Sequence, residues 1–149
     1  MSPPDSSVDT PAPHYRALSR PECQQLLAGG GVGRVVVTLP SNAVPVIRPV
    51  NYAFDPAHNA VVFRTMAGSK LFALLRSRIA WFEVDHFDPA RGEAWSVIVS
   101  GAVEEVTRAD DIQRVERLGL VSWAGGDKAR WMRIHARTVS GRHVYAPQQ

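Results

Sequence analysis

Short β-prone runs recur along this chain, each stopped by a turn signal, and they leave little room for long helices. VGRVVVTL at 32–39 is β-branched and stops at Pro40, Ser41 and Asn42. PVIRPVNYAF at 45–54 is a second run, and after the turn Asp55-Pro56-Ala57-His58-Asn59 the chain returns as AVVFRT at 60–65. Pro49 inside the second run places that stretch at an edge or bulge, where no ladder N–H is needed, and offers the neighbouring backbone of Val50 and Asn51 to a ligand. RIAWFEV at 78–84 is a fourth run. WSVIVSGAVEEV at 95–106 is long for one strand, so Gly101 marks a bend that helps curl a sheet into a barrel. Residues 131–136 and 141–145 supply the last strands.

The helical signals are few. SRPE at 19–22 is a capping box that opens a short helix ending at Gly29-Gly30-Gly31. LFALL at 71–75 reads as another, and TRAD at 107–110 repeats the capping pattern and opens a helix to about Leu120. Six to seven mostly antiparallel strands with few, short helices predict a mainly β fold closed as a small barrel. The glycines after the first helix fail the G-x-G-x-x-G spacing, and their helix-to-strand order is the reverse of a dinucleotide loop.

A chain of 149 residues with 45% hydrophobic and 21% charged content fits one folded domain. Residues 1–13, rich in Pro, Ser and Asp, have little to bury, so a mobile leader over 1–17 and a single domain over 18–146 are expected. Cys23 is the only cysteine, which excludes an intrachain disulfide and makes a reducing cytoplasm the simplest compartment. No run approaches the ~20 apolar residues of a membrane span. The net charge of +3 is scattered singly, so neither nucleic acid nor membrane is an expected partner. Among the histidines no H-x-x-x-H pair occurs, and no metal site is predicted. Trp81, Trp95, Trp123 and Trp131 can all serve as packing residues, and Glu83 and Asp85 read as solvated.

The chemistry-bearing stretch is VVFRTMAGSK at 61–70. A strand runs into a polar turn and then a helix, so backbone N–H groups at the helix start stand unpaired where an anion is favoured. Arg64 could grip a phosphate in bidentate fashion, Lys70 could add a point charge, and Thr65 and Ser69 supply hydroxyls. The plainer alternative has Ser69 capping a surface helix with Arg64 and Lys70 in solvent.

RPVNY at 48–52, FRTMAGSK at 63–70, FEVD at 82–85, WSVIVSG at 95–101 and the ending WMRIHARTVSGRHV together resemble the pyridoxamine 5′-phosphate oxidase-like, FMN-binding split-barrel family. The resemblance implies a split β-barrel, a homodimer, and flavin mononucleotide (FMN) in two clefts between subunits. It implies that Arg64, Thr65, Ser69 and Lys70 hold the flavin phosphate and that Arg48, Pro49, Val50 and Asn51 border the ring. It also implies that Trp95 and Ser96 lie near the ring or ribityl chain, with Trp131 and Arg133 matching the Trp and Arg that reach across from a partner. The oxidase proper ends its strand motif in Lys where IRPVNY stands here, so the likeness is to the small general-stress branch. Members of that branch bind FMN, the deazaflavin F420 or haem. The implied function is a flavin-dependent oxidoreductase passing hydride or electrons from a small donor to a small acceptor. F420-dependent reduction, non-catalytic flavin binding, and haem binding through His135 or His143 are the alternatives. No catalytic residue is singled out, since the flavin supplies the hydride chemistry.

Overall fold

The computed structural model describes residues 12, 14–39, 44–76, 78–120 and 129–147. The expected turn at 40–42, the loop at 122–127 with Trp123, and residues 1–11 and 13 of the expected leader lie outside these described residues.

The elements are β1 (His14–Ala17), α1 (Arg20–Leu27), β2 (Gly31–Thr38), β3 (Pro45–Asp55), β4 (Ala60–Met66), α2 (Lys70–Leu75), β5 (Ile79–Asp88), β6 (Glu93–Glu105), α3 (Ala109–Glu116), β7 (Ala129–His135) and β8 (Thr138–Tyr145). All strand pairs are antiparallel. Strands β6, β5, β2, β3, β4 and β7 follow one another, and β6 pairs again with β7, which closes a six-stranded barrel. β8 and then β1 extend the sheet outward from β6.

Eight strands therefore stand among the described residues where six to seven were expected. The addition is β1, which pairs His14 through Ala17 with β8 and is exposed along its whole length. Residues 14–17, which fall within the expected leader, pair with β8 in the sheet. HYRA has no apolar alternation to announce a strand; backbone bonding to the β8 edge holds it, with an ion pair from Arg16 to Glu22 of α1 at 2.8 Å.

The long β6 divides its partners along its length. It pairs with β8 from Glu93 to Ser100 and with β7 from Val103 to Glu105. Gly101 lies at the change, where an added Cβ would sit 1.7 Å from the backbone oxygen of His135. The expected bend is thus a point of backbone contact that only glycine allows.

Alternation sorts the side chains. Val35, Val37, Phe54, Val61, Phe63, Phe82, Val97, Val99, Met132 and Ile134 point inward, and Cys23, Leu27 and Leu75 of the helices join the same core. Each large buried apolar side chain contributes about 1.5–3 kcal/mol. A second cluster lies outside the barrel wall, where Val62 of β4 and Trp131 of β7 pack with Val115 and Ile112 of α3. The capping box on α1 forms as expected: Ser19 Oγ accepts from the Glu22 N–H, and Glu22 accepts from the Ser19 N–H at 2.7 Å. On α3 the expected box does not form. Its N-cap is Arg108, without a side-chain cap bond, and the helix ends at Glu116. Asp110 and Asp111 in the first turn favour the helix dipole instead. No helix among the described residues is long and apolar enough to cross a membrane.

Candidate functional site

β3 and β4 pair only from Tyr52 with Phe63 to Asp55 with Ala60. Before Tyr52, β3 is bonded to β2 alone, and after Phe63, β4 is bonded to β7 alone. The barrel wall is therefore split between residues 45–51 on one side and 64–66 on the other. Pro49 belongs to this stretch, opposite Arg34 of β2 and on the side of β3 that β4 does not pair with. The split sets Arg48, Pro49, Val50 and Asn51 across from Arg64 and Thr65, so two of the expected groups border one gap. Val50 is half-buried against the core. Arg48 is exposed, and its Nη1 donates to the Ile47 carbonyl at 2.9 Å.

Thr65 lies on the inward face of β4 with Val61 and Phe63, and is buried. Its Oγ1 stands 3.2 Å from Ser69 Oγ. Ser69 is the N-cap of α2, its Oγ accepting from the Phe72 N–H at 3.0 Å. The alternative of Ser69 as a helix cap is thus realised, while its hydroxyl also pairs with Thr65. Lys70 follows at the exposed start of the helix. Two hydroxyls thus meet beyond the part of β4 that pairs with β3, with Lys70 next in the chain.

Arg64 does not join them. It occupies the outward face, opposite Trp131 in register, with its guanidinium carbon 5.0 Å from the indole centroid. Its Nε is buried and has no hydrogen-bond partner. The four residues of the motif therefore divide between the two faces of β4.

Arg133, also outward, is 6% exposed and anchors an ionic network that the sequence did not announce. Its Nη2 donates to Glu104 at 2.8 Å and to Asp111 of α3 at 3.4 Å, while its Nε and Nη1 are buried without partners. His135 adds a 2.7 Å contact to Glu104, and His58 links Asp111 to the buried Asp55. The hydrogen bond from Arg133, reinforced by His135, lowers the Glu104 carboxyl from its ordinary 4.5 to about 2. Proximity in sequence gave little signal for this network, because its members come from four separate stretches, 55–58, 104, 111 and 133–135.

Trp95 and Ser96 stand elsewhere, on the half of β6 that lies between β5 and β8. Trp95 points inward, with its ring centroid 6.0 Å from that of His86, and Ser96 points outward beside Asp85 and Arg142. Counted through β5, β2 and β3, β6 stands four strands from β4, and through β7 it stands two. His143 contacts Glu93 through Nε2 at 3.2 Å and Tyr145 through Nδ1 at 2.8 Å. Inside the barrel, the Tyr52 hydroxyl is buried without a partner, and burial pushes its pKa up to about 12.

Sequence reasoning also missed an apolar outer face. Ile47, Trp81, Ile79 and Ile98 are 54%, 42%, 60% and 45% exposed on neighbouring strands β3, β5 and β6, with Val36 of β2 between Ile47 and Trp81 in register. Arg34, paired with Glu83 and with Asp85, lies in the same face.

Residues 19–143 match the family profile described as pyridoxamine 5′-phosphate oxidase. The chain belongs to the pyridoxamine 5′-phosphate oxidase-like family. All twelve candidate residues fall within the matched span. The uncharacterized Mycobacterium tuberculosis protein Rv0080 is 34% identical over 134 residues, which is 87% of this chain and 85% of that protein. A solved FAD-binding protein of Mycobacterium smegmatis superposes with a TM-score of 0.78 at 31% identity, covering 87% of this chain and 98% of its own. A FAD-binding protein of Mesorhizobium loti does so with a TM-score of 0.70 at 25% identity, covering 87% and 97% respectively. The family's split barrel is the fold described above, with its six closed strands and two added ones.

Proposed function

We propose that this family member binds a flavin at the split between β3 and β4 and works as a flavin-dependent oxidoreductase. The observation that carries the reading is the hydroxyl pair Thr65 and Ser69, 3.2 Å apart beyond the part of β4 that pairs with β3, with Lys70 next in the chain. Hydroxyl donors and a flexible cation suit a phosphate monoester, and the backbone edge of β3 at residues 48–50, which β4 does not cover, suits the polar edge of a planar ring. Val46 and Val50, half-buried against the core, exclude water from the same side. FMN meets these requirements, and FAD carries the same riboflavin phosphate. The bound flavin would supply hydride and electron transfer between a small donor and a small acceptor.

The relatives support the flavin, since the two FAD-binding proteins share the fold and 31% and 25% of their residues with this chain. A homodimer is part of the reading. The exposed strip Ile47, Trp81, Ile79 and Ile98 suits a second copy of the same face, and Ser96 opens onto that face beyond Ile98.

The test is purification from a flavin-producing host, a visible spectrum, and identification of the released cofactor by mass, beside the Thr65→Val/Ser69→Ala variant. A yellow wild type and a folded but colourless variant are expected. A wild type that stays colourless and ignores added FMN and FAD would overturn the proposal.

A further inference from the structure

On the outer side of β4 a groove of about 480 Å³ runs between β7 and α3. Its volume lies within the ~300–1,000 Å³ of small-molecule sites. Arg64, Arg130, Glu105 and Glu116 line it, so its charges sum to zero and an anion is repelled there as much as it is attracted. The four charges are not equivalent. Arg130 stands 3.6 Å from Glu105, and these two neutralise one another. The side chains of Arg64 and Glu116 have no hydrogen-bond or ion-pair partner among the described residues, either in each other or elsewhere. Arg64 is held instead by the Trp131 indole, 5.0 Å below its guanidinium carbon. Its Nε is buried, but Nη1 and Nη2 are not, so the tip of the fork is open at the groove. Glu116 is exposed on α3, one turn after Ile112 and on the same helix face. The rest of the lining is mainly apolar, with Trp131, Ile112 and Val106 its largest members. An unpaired cation on the sheet side thus shares an apolar-floored groove with an unpaired carboxylate on the helix side.

We propose that this groove binds a zwitterion, an α-amino acid with a large apolar side chain. Its carboxylate accepts from Arg64 Nη1 and Nη2, its ammonium donates to Glu116, and its side chain covers the apolar floor at Ile112 and Val106. A ligand with one charge satisfies one wall of the groove and leaves the other charge unpaired and partly desolvated, whereas a zwitterion satisfies both. The stack on Trp131 fixes the plane of the fork in advance, so little side-chain freedom is lost when a carboxylate arrives. Arg130 and Glu105, already paired, keep the rest of the groove neutral and add no preference for either sign. Arg64 and Thr65 are consecutive residues and so face opposite sides of β4. The site is therefore separate from the split and stands whether or not a flavin occupies it.

The full chain as purified is titrated by calorimetry near neutral pH with three probes, and circular dichroism serves as the fold control. The probes are L-phenylalanine, its N-acetyl derivative, which lacks the ammonium, and its amide, which lacks the carboxylate. The wild type is expected to bind L-phenylalanine about tenfold or more tighter than either derivative. Glu116→Gln should abolish the preference over the N-acetyl compound and keep the preference over the amide, and Arg64→Gln should do the reverse. Glu116 is exposed, so its variant tests the proposal even if Arg64→Gln fails to fold. Arg64→Lys keeps the charge without the fork and is expected to recover part of the preference over the amide. Three outcomes would overturn the inference: a wild type that ignores L-phenylalanine at about 10 mM, one that binds all three probes equally, or preferences that survive both substitutions.

Discussion

Arg133 is the residue on which the outer wall of the barrel turns. A guanidinium that is 6% exposed must be neutralised where it stands, and Glu104 and Asp111 do this from β6 and α3. Because Glu104 is lowered from 4.5 to about 2, its stabilising contribution is complete above the ordinary carboxylate range and is lost as pH falls towards 2. Glu104→Gln is therefore expected to lower stability near neutral pH by about 1 kcal/mol, the worth of a charged hydrogen bond discounted for the half-exposed carboxylate. Urea titrations at several pH values check this. The difference between wild type and variant should shrink between pH 4.5 and 2, and a difference that persists undiminished at pH 2 would contradict the pairing.

Among the elements, β6 does the most to close the barrel, and it does so through one position. Gly101→Ala would drive a methyl into the His135 carbonyl and is expected to destabilise by about 3 kcal/mol or more, read as a lowered thermal midpoint. A midpoint within a degree or two of wild type would mean that β6 and β7 are not so closely opposed. This bend was legible in the sequence because a glycine interrupting a long β-branched run weakens the strand unless the backbone must turn or approach another chain segment there. Pro49 was legible for a similar reason, since proline by itself demands an edge. The capping box of α1 was readable from four consecutive residues, whereas the same pattern at 107–110 was misleading, the helix starting instead after Arg108. HYRA at 14–17 gave no strand signal because its side chains bury nothing. The division of the phosphate motif was only half legible. Strict alternation along FRT puts Arg64 and Thr65 on opposite faces, but its consequence depends on Trp131, which a long-range register brings opposite Arg64.

At the scale of the whole molecule, closing six strands leaves an outer face that the barrel does not use. RIAWFEV looks uniformly core-like in sequence, yet Ala80, Phe82 and Val84 fill the barrel while Ile79 and Trp81 face outward. Trp81→Glu is expected to convert a dimer into a folded monomer in sedimentation experiments, since a charge at the middle of an apolar interface remains desolvated there. A wild type that sediments as a monomer at all concentrations would remove the second copy from the account.

The central claim is that the split between β3 and β4 holds a flavin by its phosphate. Riboflavin and FMN differ only in that phosphate, so their relative affinity isolates the cradle from the ring. For the wild type, FMN is expected to bind about 100-fold tighter than riboflavin, and in Thr65→Val/Ser69→Ala the advantage should fall to about tenfold or less. An FMN advantage that survives the double substitution unchanged would contradict the assignment of the phosphate to Thr65 and Ser69.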